Sequence, residues 1–303
     1  MARRSARRLV APPLELVVVA RLVAATAAYL AVFFTGALLL YVAGLALVPA
    51  PAQGIFALVS LGVAEAAALA AVLLFWRFVD GRRLQQLGLN GQQAAARWLR
   101  GAAIATLMMG FIVLVWFTLL DGAIWSINPD STRAAIVLVC GLLGFLIQGP
   151  AEEVLFRGYI FENVRMVWGL RWAVIVSAIA FALFHLRNPA LGPLALVNLV
   201  LFGVATALYK VRVDGGQLWG VFALHTIWNW LQQVVFGLPN SGIASVQDNA
   251  LFTITPNTSL PEPIWGGGFG PEGTLGATLV LLALIVALMR TRKRAYELAV
   301  TST

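Results

Sequence analysis

Two adjacent carboxylates, Glu152 and Glu153, stand in the run Gly149-Pro150-Ala151-Glu152-Glu153-Val154-Leu155-Phe156-Arg157-Gly158, just behind a stretch, 134–147, without a single charge. An ionisable group at the edge of such a run costs roughly 3 kcal/mol unless it is paired or does work. On a helix Glu153 precedes Arg157 by four residues, acid first, the favourable order for an intrahelical ion pair. Glu152 then projects about 100° away from that pair. Pairing Glu153 with Arg157 leaves Glu152 as the carboxylate able to act as a base. The chain has only two histidines, and both lie in apolar segments: His185 closes Phe181-Ala182-Leu183-Phe184-His185, and His225 opens His225-Thr226-Ile227-Trp228-Asn229. Asn229 falls one turn beyond His225, on the same face. A lone histidine on an apolar helix is more often a satisfied core residue than a catalyst. Two of them beside a carboxylate pair in a membrane-type sequence shift the balance toward function.

The elements that must position these groups follow from composition. Of 303 residues 60% are hydrophobic and 11% charged, where a water-soluble domain would have roughly a quarter charged. The fold class expected is therefore an all-α, polytopic membrane helix bundle embedded in a lipid bilayer. The net charge of +8 sits in short basic clusters between apolar runs. That pattern reads as orientation signal and not as a nucleic-acid surface. The single cysteine, Cys140, excludes an intramolecular disulfide and a zinc-thiolate cluster. The arginine-rich start, Arg3-Arg4-Ser5-Ala6-Arg7-Arg8, is followed by an apolar stretch too long for a cleaved signal, so it reads as the flank of an uncleaved first span.

About 20 apolar residues cross the hydrocarbon, and eight segments qualify: 22–48, 55–76, 101–120, 134–151 with its continuation, 172–185, 191–209, 217–236 and 274–289. With both termini cytoplasmic, eighteen arginines and lysines fall on one side and only Arg133 and Arg187 on the other. Tryptophans near span ends, among them Trp76, Trp98, Trp125 and Trp219, read as interfacial anchors. The segment 237–273, rich in Gly, Pro, Asn and Ser and without Lys or Arg, reads as a flexible outer loop. The chain thus divides into an N-terminal region of three spans (1–133), a core of four (134–236), the outer loop (237–273) and a last span with a basic tail (274–303).

If the chain reverses near Gly169, Glu152 lies 17 residues before the turn and His185 16 after it. At 1.5 Å per residue both stand roughly 25 Å along their helices. His225 and Asn229, counted from Gly215-Gly216, stand roughly 14 to 20 Å along theirs. Three helices can bring these groups to overlapping heights.

In order and spacing, Glu-Glu-x-x-x-Arg at 152–157, Phe-x-x-x-His at 181–185 and His-x-x-x-Asn at 225–229 resemble the CPBP family of intramembrane proteases. That family includes type II CAAX prenyl endopeptidases and bacterial proteins linked to bacteriocin processing or self-immunity. The likeness extends through Phe202-Gly203 and Gln217-Leu218-Trp219 and covers roughly 134–236. It implies Glu152 as the water-activating base, His185 and His225 as its partners or metal ligands, Asn229 as a polarising donor, and Glu153 and Arg157 in support. Amide hydrolysis needs an activated water and a donor for the oxyanion. Two mechanisms stay open: one divalent metal such as zinc on Glu152, His185 and His225, or a metal-free glutamate base.

Blander readings stand beside these. Glu153 and Arg157 suit a purely structural ion pair. Glu65, alone in the second span, suits a partner-satisfied buried acid as well as a functional one, and Asn188 and Asn198 suit interhelical or loop hydrogen bonds. The function expected is an intramembrane endopeptidase acting on a membrane-associated protein or peptide, of the prenylated CAAX type by resemblance. The alternatives are a proton-coupled transporter and a catalytically inactive immunity or binding protein. The Ala- and Arg-rich composition points to a bacterial plasma membrane, where a prenylated substrate would be out of place.

Overall fold

The computed structural model describes residues 14–49, 52–119, 123–244 and 246–291. The basic N-terminal cluster and the tail beyond 291 lie outside these. Helix α1 (Leu14–Leu47) pairs with α2 (Gln53–Leu74), which continues as a π-helical turn, Phe75–Val79. After α3 (Ala94–Leu119), strand β1 (Ala123–Ile127) leads to α4 (Ser131–Glu153), which starts where Asp130 accepts a hydrogen bond from the Arg133 backbone N–H. A seven-residue π-helical stretch, Val154–Ile160, joins α4 to α5 (Phe161–Phe184). Then come α6 (Pro193–Arg212), with proline at its first turn, and α7 (Trp219–Trp230) with a π-helical extension, Leu231–Val235.

Gly169 inside α5 has φ 82°, a value that breaks the helix and turns the chain back on itself. Ser177 Oγ–H consequently donates to the Phe156 carbonyl (3.0 Å), and the Phe156 and Phe181 rings meet edge to face at 5.4 Å. The reversal expected near Gly169 is present. Five described stretches are long and apolar enough to cross a membrane, one of them the 54-residue Ser131–Phe184 that contains this break. The protein is an integral membrane helix bundle.

The segment after α7, read from its composition as an outer loop, contains regular structure. Strand β2 (Phe252–Pro256) pairs antiparallel with β1, Trp125 opposite Ile254, and short helical turns, α8 (Glu262–Trp265) among them, lead to α9 (Leu275–Arg290). The aromatic and β-branched residues of both strands supply the pairing that glycine and proline content concealed. Trp76 is a correction: it is 1% exposed and donates to the Arg83 carbonyl, so it is a core residue and not an interfacial anchor.

The core is centred on α4 and α7, which pack against each other and against α2 and α3. Gly149 makes the α4–α7 approach possible. A Cβ there would sit 2.9 Å from Thr226 Oγ1 and 3.1 Å from its backbone nitrogen. This contact sets the residues that follow Gly149 beside those around Thr226.

Candidate active site

Glu152, His185, His225 and Asn229 all line one cavity of about 890 Å³. Each is nearly buried, at 3%, 6%, 4% and 4% exposure, so none is spent on lipid. They come from the end of α4, the end of α5 and one face of α7. Glu153 and Arg157, both fully buried, stand behind the cavity wall.

Local backbone geometry explains how the two glutamates part. Pro150 lacks an N–H, which loosens the α4 hydrogen-bond ladder, and the π-helical stretch begins directly after Glu153. Such insertions recur at functional sites because they re-aim side chains within a continuing helix. Arg157 Nη1 lies 3.2 Å from Glu153 Oε1. No nitrogen of this guanidinium makes an aligned hydrogen bond. Its plane sits instead over the Phe181 ring, 4.3 Å from the centroid, with Phe202 and Phe156 at 5.9 and 6.0 Å. Charge pairing and cation–π attraction together hold this cation without water.

His225 has a partner that sequence reasoning did not name. Its Nδ1 lies 2.9 Å from Glu153 Oε1, not against Glu152. A carboxylate only accepts, so the Nδ1–H form of the ring is the one that donates to Glu153. His185 Nδ1 faces the Phe181 carbonyl at 2.8 Å, which fixes the same tautomer there. Phe181 and Phe202 stack edge to face on His225 at 6.0 and 5.3 Å, and Phe181 lies 4.7 Å from the His185 ring. One aromatic box therefore orients both imidazoles and Arg157.

Glu152 is held by Gln148, a residue that sequence reasoning passed over. Gln148 Nε2–H donates to Glu152 Oε1, and its carbonyl oxygen accepts from Asn229 Nδ2 at 3.0 Å. The other oxygen, Glu152 Oε2, is buried with no hydrogen-bond partner among protein groups. The signal was there to be found: Gln148 is the one amide between 131 and 162, four residues before Glu152 and hence on its face. Glu65 lines the same cavity, held by the Tyr29 hydroxyl. Asn198 donates to the Glu272 and Thr274 carbonyls at 2.7 and 2.9 Å, and Asn188 to Ser241 at 3.0 Å, the hydrogen-bonding roles expected of them.

Glu272, just before α9, also reaches the cavity. Burial pushes its carboxyl up to about 7, against the opposing effect of hydrogen bonds from Ser241. Among the described residues no three His, Cys, Asp or Glu side chains are grouped as a metal site. The set Glu152, His185 and His225 thus faces one space without forming a ready ligand cluster.

Fold and site together define a polytopic membrane protein with a buried carboxylate–histidine–asparagine centre. Residues 134–231, which carry all of these motifs, match the family model of the Rce1-like type II CAAX prenyl endopeptidases. The match bears out the resemblance to CPBP proteases over this segment. No curated protein and no solved structure matches the chain.

Proposed function

We infer that the protein is an intramembrane endopeptidase in which Glu152 activates water against a peptide bond. One observation carries this reading: a buried carboxylate oxygen, Glu152 Oε2, without a protein partner, in a cavity shared with Asn229 and two histidines whose Nδ1 atoms are already engaged. Glu152 takes the proton of the attacking water and returns it to the leaving amine. Gln148 holds Glu152 Oε1 and so aims Oε2. Asn229, with a second N–H beyond the one given to Gln148, donates to the oxyanion. His185 and His225 flank that space through Nε2, and Glu153 and Arg157 keep His225 and its helix in place. If a divalent metal takes part, Glu152, His185 and His225 are the residues to hold it, supplying a Lewis acid for the carbonyl.

The substrate is a membrane-associated peptide; the prenylated CAAX type is the family's, and in a bacterial membrane another lipid-anchored peptide takes its place. We count eight crossings, α5 contributing its second part after Gly169, with the arginine-rich ends of the helices cytoplasmic. The cavity is lined, beyond Glu152, by Tyr41, Gln53, Asn188 and Ser241 among others, all in or next to segments placed on the non-cytoplasmic side by this count. On this orientation a bacterial plasma-membrane protein would receive its peptide from the non-cytoplasmic half of the bilayer.

The test is cleavage of lipidated peptides by purified protein in nanodiscs. Glu152→Gln is expected to fold, since the amide can still meet Gln148, and to lose roughly 10²- to 10⁴-fold in rate. Undiminished cleavage by Glu152→Gln ends the reading. Metal-stripped protein decides between the two mechanisms: full activity assigns the step to the glutamate alone, whereas loss restored by zinc adds a metal.

A further inference from the structure

The cavity has a second set of polar residues, apart from the glutamate–histidine centre in sequence and outside the family-matched segment. Glu272 Oε2 accepts two hydrogen bonds from one residue, the backbone N–H of Ser241 at 2.7 Å and its Oγ–H at 2.9 Å. To give both, Ser241 adopts φ 49°, a left-handed conformation that a serine keeps only where its surroundings impose it. They do so here. Asn188 Nδ2 donates to the Ser241 carbonyl, and the neighbouring Gly242 N–H donates to the Phe269 carbonyl at 3.2 Å. Strain held in this way at a cavity wall marks a constructed site.

Next to Ser241, Asn240 is 8% exposed, lines the cavity, and has a side-chain oxygen with no hydrogen-bond partner. A buried acceptor left unpaired is uncommon and calls for a donor. The charged groups of the cavity wall lean the same way. Three carboxylates, Glu65, Glu152 and Glu272, face one arginine, Arg187, which is exposed at the rim where solvent screens it. Glu65 is answered by Tyr29 and Glu152 belongs to the reaction centre. Glu272 is already met by Ser241, with Gln232 and Trp228 beside it, so the open acceptor is Asn240 Oδ1, and an open amide oxygen next to a carboxylate favours a cation bearing N–H groups.

We propose that Glu272 and Asn240 form a specificity pocket that receives a basic side chain of the peptide, a lysine or arginine near the bond to be cut. This deepens the protease reading and rests on it for the word substrate, but the binding it asserts can be measured alone. Glu272 is a binding residue here, not a catalytic one. A merely structural role, clamping the 240–242 turn, would leave peptide preference untouched.

The experiment uses Glu152→Gln protein in nanodiscs, so that peptides bind without being cut. Its probes are palmitoylated peptides carrying either lysine or glutamine at each successive position. At one position lysine is expected to bind about tenfold tighter than glutamine, the worth of one charge-assisted hydrogen bond. Adding Glu272→Gln should bring that ratio close to one, and Glu272→Asp should retain part of it. No lysine preference at any position, or a preference that survives Glu272→Gln, overturns the proposal. Should Glu272→Gln fail to fold, Asn240→Asp replaces it: the added negative charge must raise the lysine preference, and an unchanged ratio refutes the pocket. Lysine preference in binding with no cleavage of any peptide by wild-type protein would sink the protease reading and keep this one. Cleavage without lysine preference does the reverse.

Discussion

Removing Arg157 should destabilise the bundle more than removing Arg157 and Glu153 together. Both side chains are fully buried, and Glu153 Oε2 already lacks a hydrogen-bond partner. Arg157→Met fills much of the same volume but leaves the Glu153 carboxylate with His225 as its sole polar contact, at 2.9 Å. Stranding one member of a buried pair costs about 3–5 kcal/mol. Loss of the guanidinium from the Phe181 face, 4.3 Å away, adds about 2 kcal/mol for a desolvated cation–π contact. The melting temperature in detergent should fall by roughly 10 °C on the scale of large domains. In the double variant Arg157→Met/Glu153→Gln no charge is stranded, and the glutamine oxygen still accepts from His225 Nδ1. It should recover about two-thirds of the loss, the part owed to the stranded charge. Arg157→Lys keeps the charge without the planar stack and should be the mildest change. The assay is thermal unfolding followed by tryptophan fluorescence, with cleavage measured on the same samples. A double variant no more stable than Arg157→Met would refute the stranded-charge argument. Wild-type melting of Arg157→Met with cleavage abolished would instead place Arg157 in the chemistry.

Two further predictions concern charge and orientation. Because burial raises the Glu272 carboxyl to about 7, the group gains its charge as pH rises through that value. The lysine-to-glutamine binding ratio should therefore increase from pH 6 to pH 8. Its near neighbours Ser241, Gln232 and Trp228 do not titrate there; Glu65, Glu152, His185, His225 and Arg187 line the same cavity, so a Glu272→Gln control, flat over that range, isolates the effect. Reporter fusions after Thr303 and within 237–273 should report opposite sides of the membrane, as the eighteen-to-two split of basic residues requires. The same side for both would overturn the eight-span topology.

The sequence by itself determined the membrane bundle, because 60% hydrophobic content in spans of about 20 residues has no soluble solution. It also pointed to residues that line one cavity. Glu152 and His185 are nearly equidistant from Gly169, and a helix hairpin has to bring equidistant residues level. The i to i+4 relation likewise placed Glu153 against Arg157. Partners across helices were another matter. That His225 turns its Nδ1 to Glu153, and that Gln148 links Asn229 to Glu152, depend on how α7 rotates over Gly149. Helical periodicity gives a residue's face but not the rotation of one helix against the next. The 237–273 segment shows the same limit more sharply. Its strand needs β1, more than a hundred residues earlier, as its partner, and the approach of Ser241 to Glu272 needs a left-handed serine held by two neighbouring segments. Local composition encodes neither, since both contacts exist only once the helices have fixed where the loops start and end.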